Sequence, residues 1–372
     1  MKLTIERAAL LKALSHVQSV VERRNTIPIL ANVRLSAEDG RLSLTATDMD
    51  ISIVESVAAE VSQAGATTAP AHTLYDIARK LPDGSQVELA TEEGGQQLRI
   101  ASGRSRFTLQ TLPVDDFPVL SDDALPVGFH LAARDLRGLI DRARFAISTE
   151  ETRYYLNGIY FHAAVSDGVP VLRAVATDGH RLARVEVAEP SGAGDMPGVI
   201  VPRKTVTELR KLLDEADADV TVSLSETKAR FGVGEIVLTS KLIDGTFPDY
   251  ERVIPTVNDK LMQIDCKLFA AAVDRVSTIS TEKSRAVKLS LNGTTLGLSA
   301  SSSDAGTANE EIEVAYGSDP MEIGFNSRYL LDITQQITGD TAELALSDSS
   351  SPTIIRDSGD AAALYVLMPM RV

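Results

Sequence analysis

Residues Arg173 to Arg184 read RAVATDGHRLAR, and the organisation of the whole chain can be worked out from this stretch. Val175 and Thr177 alternate with smaller residues as on a half-buried strand, Asp178 and Gly179 form the Asp-Gly pair of a tight reversal, and Leu182 and Val185 resume the apolar pattern. The stretch therefore predicts strand, turn, strand. Leu44 to Ile53 (LTATDMDISI) repeats the theme near the start, and Leu298 to Asp304 (LSASSSD) keeps its outline in the last third. Three versions of one corner predict three versions of one domain.

Apolar spacing supports the repeat. Ile5, Leu10 and Leu14 are spaced like Leu131, Leu136 and Ile140 and like Ile264, Phe269 and Val273; in each set the first residue ends a short alternating run and the others share a helical face. Half a repeat later, Leu74, Ile77 and Leu81 follow Pro70 as Val206, Leu209 and Leu213 follow Pro202 and as Leu330, Ile333 and Ile337 follow Asn326. This is the i, i+3, i+7 pattern of a helix. Short alternating runs such as Val87 to Leu89, Phe107 to Leu109 and Val220 to Leu224 fill the remainder, so each repeat is expected to hold two helices and roughly eight strands. Pro, Gly and Asp collect at Leu112 to Pro126 and at Leu242 to Pro255, which places the domains at 1–126, 127–257 and 258–372.

The 372 residues, 44% of them hydrophobic, suffice for two or three cores. The opening MKLTIERAALLKAL has no long apolar segment and no run is long enough to span a membrane, so a cytoplasmic protein without a membrane partner is expected. The single cysteine, Cys266, falls at a predicted helix start among apolar residues and reads as a small core residue. The net charge of -15 argues against a polyanionic partner until its distribution is considered. The helical windows 6–24, 72–80, 134–144, 203–211, 266–285 and 327–337 hold 19 Lys and Arg against nine Asp and Glu. Basic helices on an otherwise acidic chain could hold a polyanion on one side and repel it elsewhere.

His180 beside Asp178 suggests a catalytic or metal-binding pair. A triad also needs a nucleophile on a strained turn and zinc needs three or four ligands, and His16, His72, His130 and His162 stand in no ligand spacing with His180. No catalytic residue, metal or cofactor is expected.

With repeats, paired helices and segregated charge in view, the chain resembles the bacterial DNA polymerase III beta subunit, the beta sliding clamp family, over its whole length. The resemblance rests on TIPILANV (Thr26 to Val33), SGRSRFTL (Ser102 to Leu109), RYYLNG (Arg153 to Gly158), ATDGHRLA (Ala176 to Ala183), VPRK (Val201 to Lys204), FPDY (Phe247 to Tyr250) and MPMR (Met368 to Arg371), in that order. It implies an α+β DNA clamp fold of three repeated clamp domains, each with two helices on antiparallel sheets, assembled head to tail into a ring. It further implies a non-catalytic processivity factor for the replicative polymerase. A third of the chain makes a domain roughly 35 Å across; six in a ring leave a hole of about 35 Å, three only about 5 Å, so a duplex about 20 Å wide requires a homodimer.

The resemblance also implies three sets of residues. A peptide-binding pocket would use Thr177, Gly179, His180, Arg181 and Leu182 as one wall, completed by Leu156, Pro248, Arg252, Val253, Val366, Met368, Pro369, Met370 and Arg371, with Arg153, Tyr155, Asn326 and Tyr329 at its entrance. Polarizable methionines and flat apolar walls accept varied side chains, so the expected partners are the polymerase alpha subunit, the clamp loader, and other polymerases and repair proteins carrying clamp-binding peptides. Duplex DNA would be touched by Arg24, Tyr154, Tyr155, Arg203 and Lys204 without sequence preference. Arg104, Arg106, Phe107 and Leu109 would face Ile279, Asp304 and Glu310 of a second copy. The chain departs from the family at Ser350 and Pro352 by the pocket, at His72, Thr73 and Glu150 near the DNA positions, and at Thr278, Gly306 and Asn309 near the seam. Two other readings are a monomeric peptide-binding adaptor, which would sediment as a monomer, and a hydrolase using Asp178 and His180, whose activity His180→Ala would abolish.

Overall fold

The computed structural model describes every residue except 25, 93, 122, 217, 281–284 and 372, so part of the helical window at 266–285 and the terminal Val372 lie outside the described residues. Six α-helices are present among the described residues: α1 (Arg7–Val17), α2 (Ala71–Lys80), α3 (Ala133–Ala143), α4 (Arg203–Leu213), α5 (Cys266–Ser277) and α6 (Ser327–Thr334). They fall where the apolar spacing predicts, except that Leu81 and Ile337 lie beyond the ends of α2 and α6. α1 buries Leu10, Ala13, Leu14 and Val17, and α4 buries Val206, Leu209, Leu212 and Leu213. Two starts are capped: Asp265 accepts from the Leu268 amide (2.8 Å) and Asn326 Oδ1 from the Arg328 amide (3.0 Å). α5 is shorter than its window, ending at Ser277 before the β-branched pair Thr278 and Ile279.

The described strands number nine, eight and nine in residues 1–126, 127–257 and 258–372. All pairings are antiparallel, and one apolar ladder recurs three times. Leu3, Leu89, Ile100 and Phe107 stand opposite one another in successive strands, as do Phe129, Val222, Phe231 and Leu238, and Met262, Leu344, Ile355 and Tyr365. The strand after the repeated corner recurs likewise, with Leu44 opposite Glu55, Ala174 opposite Val185 and Leu298 opposite Glu310.

The chain divides into two compact units. One comprises residues 1–134, 190–197 and 204–242. It contains a five-stranded sheet ending on Ser105–Gln110 and an eight-stranded sheet in which Ile236–Lys241 pairs with Ile51–Ala58, placing Leu238 opposite Ile53. The other comprises residues 135–189, 198–203 and 243–372. Its nine-stranded sheet pairs Asp360–Leu367 with Arg181–Ala188, placing Tyr365 opposite Ala183, and its four-stranded sheet ends on Gly306–Glu313. In each unit, then, the last strand of one repeat continues the sheet of the repeat before it.

Candidate functional site

The 173 to 184 stretch is a hairpin, but Thr177 pairs with Leu182, so four residues turn the chain instead of the two that Asp-Gly predicts. Side chains hold this wider turn. Thr177 Oγ1 donates to the Arg181 carbonyl (2.7 Å) and accepts from the Gly179 amide (3.1 Å), while Asp178 Oδ1 accepts from the amides of His180 (2.9 Å) and Arg181 (3.0 Å). Gly179 has φ +88°, and a Cβ there would lie 2.6 Å from Arg153 Nη1. Asp178 is thus occupied by backbone amides and by Arg181 Nε (3.1 Å), whereas the His180 ring stacks on Tyr329 with centroids 6.2 Å apart. That arrangement does not orient an imidazole as a general base.

Arg181 is committed to the corner itself. Its guanidinium donates to Asp332 Oδ2 on α6 (2.5 Å) and to the Phe145 carbonyl (2.7 Å), and lies 4.3 Å from the Tyr329 ring centroid. Its side chain is 9% exposed and its amide and carbonyl are bonded within the turn, so Arg181 shapes the corner from inside.

Beside the corner lies an apolar cluster of Leu156, Val175, Leu182, Ile200, Phe247, Tyr250, Ile354, Leu364 and Val366, with Tyr155, Tyr160, Ile243, Ile254 and Ala345 packed against it. Three expected pocket residues, Leu156, Leu182 and Val366, belong to this cluster. Pro248, Arg252 and Val253 are exposed; the last two stand on the 3₁₀ turn Tyr250–Val253, next to the buried Tyr250. The C-terminal segment is strapped on by backbone bonds, the Met368 amide to the His180 carbonyl (2.9 Å) and the Met370 amide to the Gly324 carbonyl (2.7 Å). Met368 is 40% exposed, Pro369 and Met370 are half-buried and Arg371 is exposed. Arg153 Nε donates to Glu150 (2.8 Å), Asn326 caps α6, and the Ser350 hydroxyl is turned onto Asp348 (2.8 Å).

Under this surface is a polar network that reading the sequence did not find. Arg173, 3% exposed, donates through Nε to Glu186 (2.7 Å) and through Nη1 to the Tyr250 hydroxyl (2.7 Å) and Glu251 (2.7 Å). The Tyr250 hydroxyl also lies 2.9 Å from His162 Nε2, and His162 Nδ1 lies 2.9 Å from the Ala163 carbonyl. A carbonyl only accepts, so Nδ1 carries the proton and Nε2 accepts from Tyr250. Burial, reinforced by the Arg173 charge, pushes the His162 pKa down and keeps the ring neutral. The available signal was an arginine inside the apolar run RAVA, since a cation on a buried strand needs a partner.

The remaining expected residues are dispersed. Arg24 is exposed, Tyr154 is 54% exposed and meets Tyr155 edge-on at 5.8 Å, and the exposed Arg203 starts α4 with its amide on the Asn157 carbonyl (2.9 Å). Lys204 Nζ pairs with Asp48 (2.5 Å) and Glu22 (3.3 Å), and His72 Nε2 is 2.9 Å from the Val21 carbonyl. On the edge strand Ser105–Gln110, Phe107 is exposed and Leu109 half-buried, while Arg106 folds back onto the carbonyls of Gly103 and Ser105 (2.8 Å each). Arg104 and Asp304 are exposed, Ile279 is half-buried, and Glu310 is paired with Arg275 (3.0 Å). Among the described residues no cluster of His, Cys, Asp and Glu suited to a metal occurs, and no helix is long and apolar enough to cross a membrane. Cys266 is buried, and burial pushes its thiol pKa up.

Family models for the N-terminal, central and C-terminal domains of the DNA polymerase III beta subunit match residues 1–121, 130–249 and 251–371. The beta sliding clamps of Caulobacter vibrioides, Pseudomonas aeruginosa and Escherichia coli are 56%, 42% and 41% identical to this chain, with 100% of both sequences covered in each case. Among solved structures, the Caulobacter crescentus beta sliding clamp with polyethylene glycol bound superimposes with a TM-score of 0.98 at 56% identity, covering 100% of this chain and 99% of that one. A Bartonella birtlesii sliding clamp bound to griselimycin gives 0.97 at 53% identity with 100% of both chains covered.

Proposed function

Because the chain belongs to the DNA polymerase III beta subunit family of sliding clamps, non-catalytic processivity subunits, we propose that two copies join head to tail in a ring around duplex DNA. Three domains, 1–126, 127–257 and 258–372, would come from each copy. The observation that carries this is a pair of unmatched edges. Within the chain, Leu238 and Tyr365 end their ladders opposite Ile53 and Ala183 and are 0% and 1% exposed. Phe107 ends the first ladder at a sheet edge and is 38% exposed. Applying the same step once more puts Phe107 opposite Ala308 of a second copy, since Ala308 precedes Glu310 by two residues as Ile53 precedes Glu55. Two such seams leave neither edge open.

On this reading Arg104, Arg106 and Leu109 flank Phe107, with Ile279, Asp304 and Glu310 across the seam. Arg24, Tyr154, Tyr155, Arg203 and Lys204 touch passing phosphates. The corner, the apolar cluster and the Met368 to Arg371 segment receive apolar-anchored peptides from the polymerase alpha subunit, the clamp loader and repair proteins in the cytoplasm. The griselimycin complex of the Bartonella relative supports a peptide-accepting site. Sedimentation equilibrium tests the seam. Wild type should be a dimer, and Phe107→Asp with Ile279→Asp a monomer, because each buried Phe or Ile contributes roughly 1.5–3 kcal/mol while exposed ion pairs contribute about 0–1. A double variant that remains dimeric would put the seam elsewhere.

A further inference from the structure

The proposed pocket has two walls from distant parts of the sequence, the Thr177 to Leu182 corner and the 3₁₀ turn Tyr250–Val253. A four-residue turn with three exposed members cannot hold its own orientation by burial. Tyr250 enters the apolar cluster edge-on to Phe247 (6.5 Å), which stacks on Tyr160 (4.8 Å, 7°), which in turn stacks on His162 (4.7 Å). Ring packing of this kind tolerates sliding and rotation. Directional bonds to the hydroxyl do not.

We propose that Arg173 is a positioning residue for peptide binding, fixing the turn that carries Arg252 and Val253 to the same hairpin that carries the Thr177 to Leu182 corner. The inference rests on the peptide-binding reading above. Arg173 and Glu186 stand directly opposite each other on the two strands of that hairpin, so their ion pair gives the guanidinium a rigid base. The remaining Nη1 contacts reach the two leading residues of the turn, the Tyr250 hydroxyl and the Glu251 carboxylate, at 2.7 Å each. His162 Nε2 accepts from the Tyr250 hydroxyl, so the hydroxyl both accepts and donates in one fixed direction. Arg184 Nε, 3.3 Å from Glu186, shares the carboxylate, and Lys could not reproduce the fork. A wall ordered before the peptide arrives is one the peptide need not order on binding.

The test uses the full-length dimer and a Gln-Leu-x-Leu-Phe-type peptide, with association and dissociation rates measured for wild type, Tyr250→Phe, Arg173→Lys and Val253→Asp. Tyr250→Phe keeps the ring and removes only the hydroxyl; it should speed dissociation about tenfold, the effect of about one buried hydrogen bond, with little change in association. Arg173→Lys, which loses the fork to both Tyr250 and Glu251, should speed dissociation at least as much. Variants that lose thermal stability yet release the peptide within twofold of the wild-type rate would make the network merely structural and overturn the proposal. Should Arg173→Lys fail to fold, Tyr250→Phe decides alone. If the wild type does not bind the peptide, or Val253→Asp binds it unchanged, the pocket reading falls and this inference with it.

Discussion

The corners at Thr47 to Ile51 and Thr177 to Arg181 are the same turn built twice. Thr47 Oγ1 donates to the Ile51 carbonyl (2.9 Å) and accepts from the Met49 amide (3.0 Å), and Asp48 Oδ1 accepts from Asp50 (2.9 Å) and Ile51 (2.8 Å), bond for bond as at Thr177 and Asp178. In both, the strand from the next repeat crosses with one amide, Lys241 to the Asp50 carbonyl (2.8 Å) and Met368 to the His180 carbonyl (2.9 Å). The side chains at the tip differ. Lys241 Nζ bridges to Asp50 (3.0 Å) and Lys204 to Asp48, so charges cover the first corner where the second presents His180 and Met368. The backbone motif belongs to joining repeats; what makes one corner a candidate pocket is added by a few residues at its tip and by the C-terminal segment.

The largest effect should come from removing that segment. Deleting Met368 to Val372 takes away two methionines and a proline from the proposed pocket, and if they stand at its centre the loss is large, because central contacts carry most binding energy. Calorimetry should record a loss of peptide affinity of about 100-fold or more, roughly 3 kcal/mol, with the dimer and its retention on circular DNA intact. Residual binding at half the wild-type stoichiometry would mean that the first corner binds peptides too. Loss of the dimer would make the segment structural.

A smaller effect separates the tips. Met49 has φ +83° and Gly179 φ +88°, and a Cβ added at Gly179 would lie 2.6 Å from Arg153 Nη1. Gly179→Ala should destabilise by about 1–2 kcal/mol and weaken the peptide by displacing Arg153, whereas Met49→Gly, relieving left-handed strain but loosening the unfolded chain, should stay within about 0.5 kcal/mol of wild type. Denaturant midpoints for both variants, read beside peptide affinity, check this. Equal shifts would show that turn geometry and not the Arg153 contact decides.

Much of the fold was legible because it is periodic. Strand and helix positions follow from spacings such as Ile5, Leu10, Leu14, and their recurrence multiplied each weak local signal by three. The Asp-Gly pair misled on turn size because Thr177 and Asp178 bond to backbone across four residues, a role that composition does not reveal. Leu156 and Leu182 stand in the motifs RYYLNG and ATDGHRLA, and the structure gathers them with Val366 into one apolar cluster. Arg173, Glu186, Tyr250 and His162 were not legible as a network, because their relation is across strands and through a hydroxyl, and the inward commitment of Arg181 to Asp332 spans 151 residues.

The smallest expected effect concerns the cation at one helical position, His16 on α1, Arg142 on α3 and Arg275 on α5, each paired with a carboxylate: Glu55, Asp360 and Glu310. Two of these cations keep their charge at any ordinary pH. His16 is buried, with Nδ1 2.7 Å from Glu55 and Nε2 3.3 Å from Glu215, and carboxylates only accept, so both ring nitrogens carry protons. Burial alone would lower its pKa, but the bonds to Glu55 and Glu215 prevail and leave it raised; Lys12, 2.7 Å from Glu215, and Glu208, bonded to Ser19, complete the charged surroundings. A histidine whose folded pKa exceeds its unfolded value contributes fully below the ordinary value of 6.5, and that contribution is lost as pH rises through the raised value. Melting curves between about pH 6 and pH 9 should therefore show Tm falling by on the order of 2 °C toward alkaline pH in wild type, and no such fall in His16→Gln, which keeps two polar contacts but cannot titrate. Arg142→Gln should lower Tm by a similar amount at every pH in that range and leave the slope untouched. An alkaline slope that survives in His16→Gln would assign the titration to another group and dissolve the contrast between the histidine and arginine clasps.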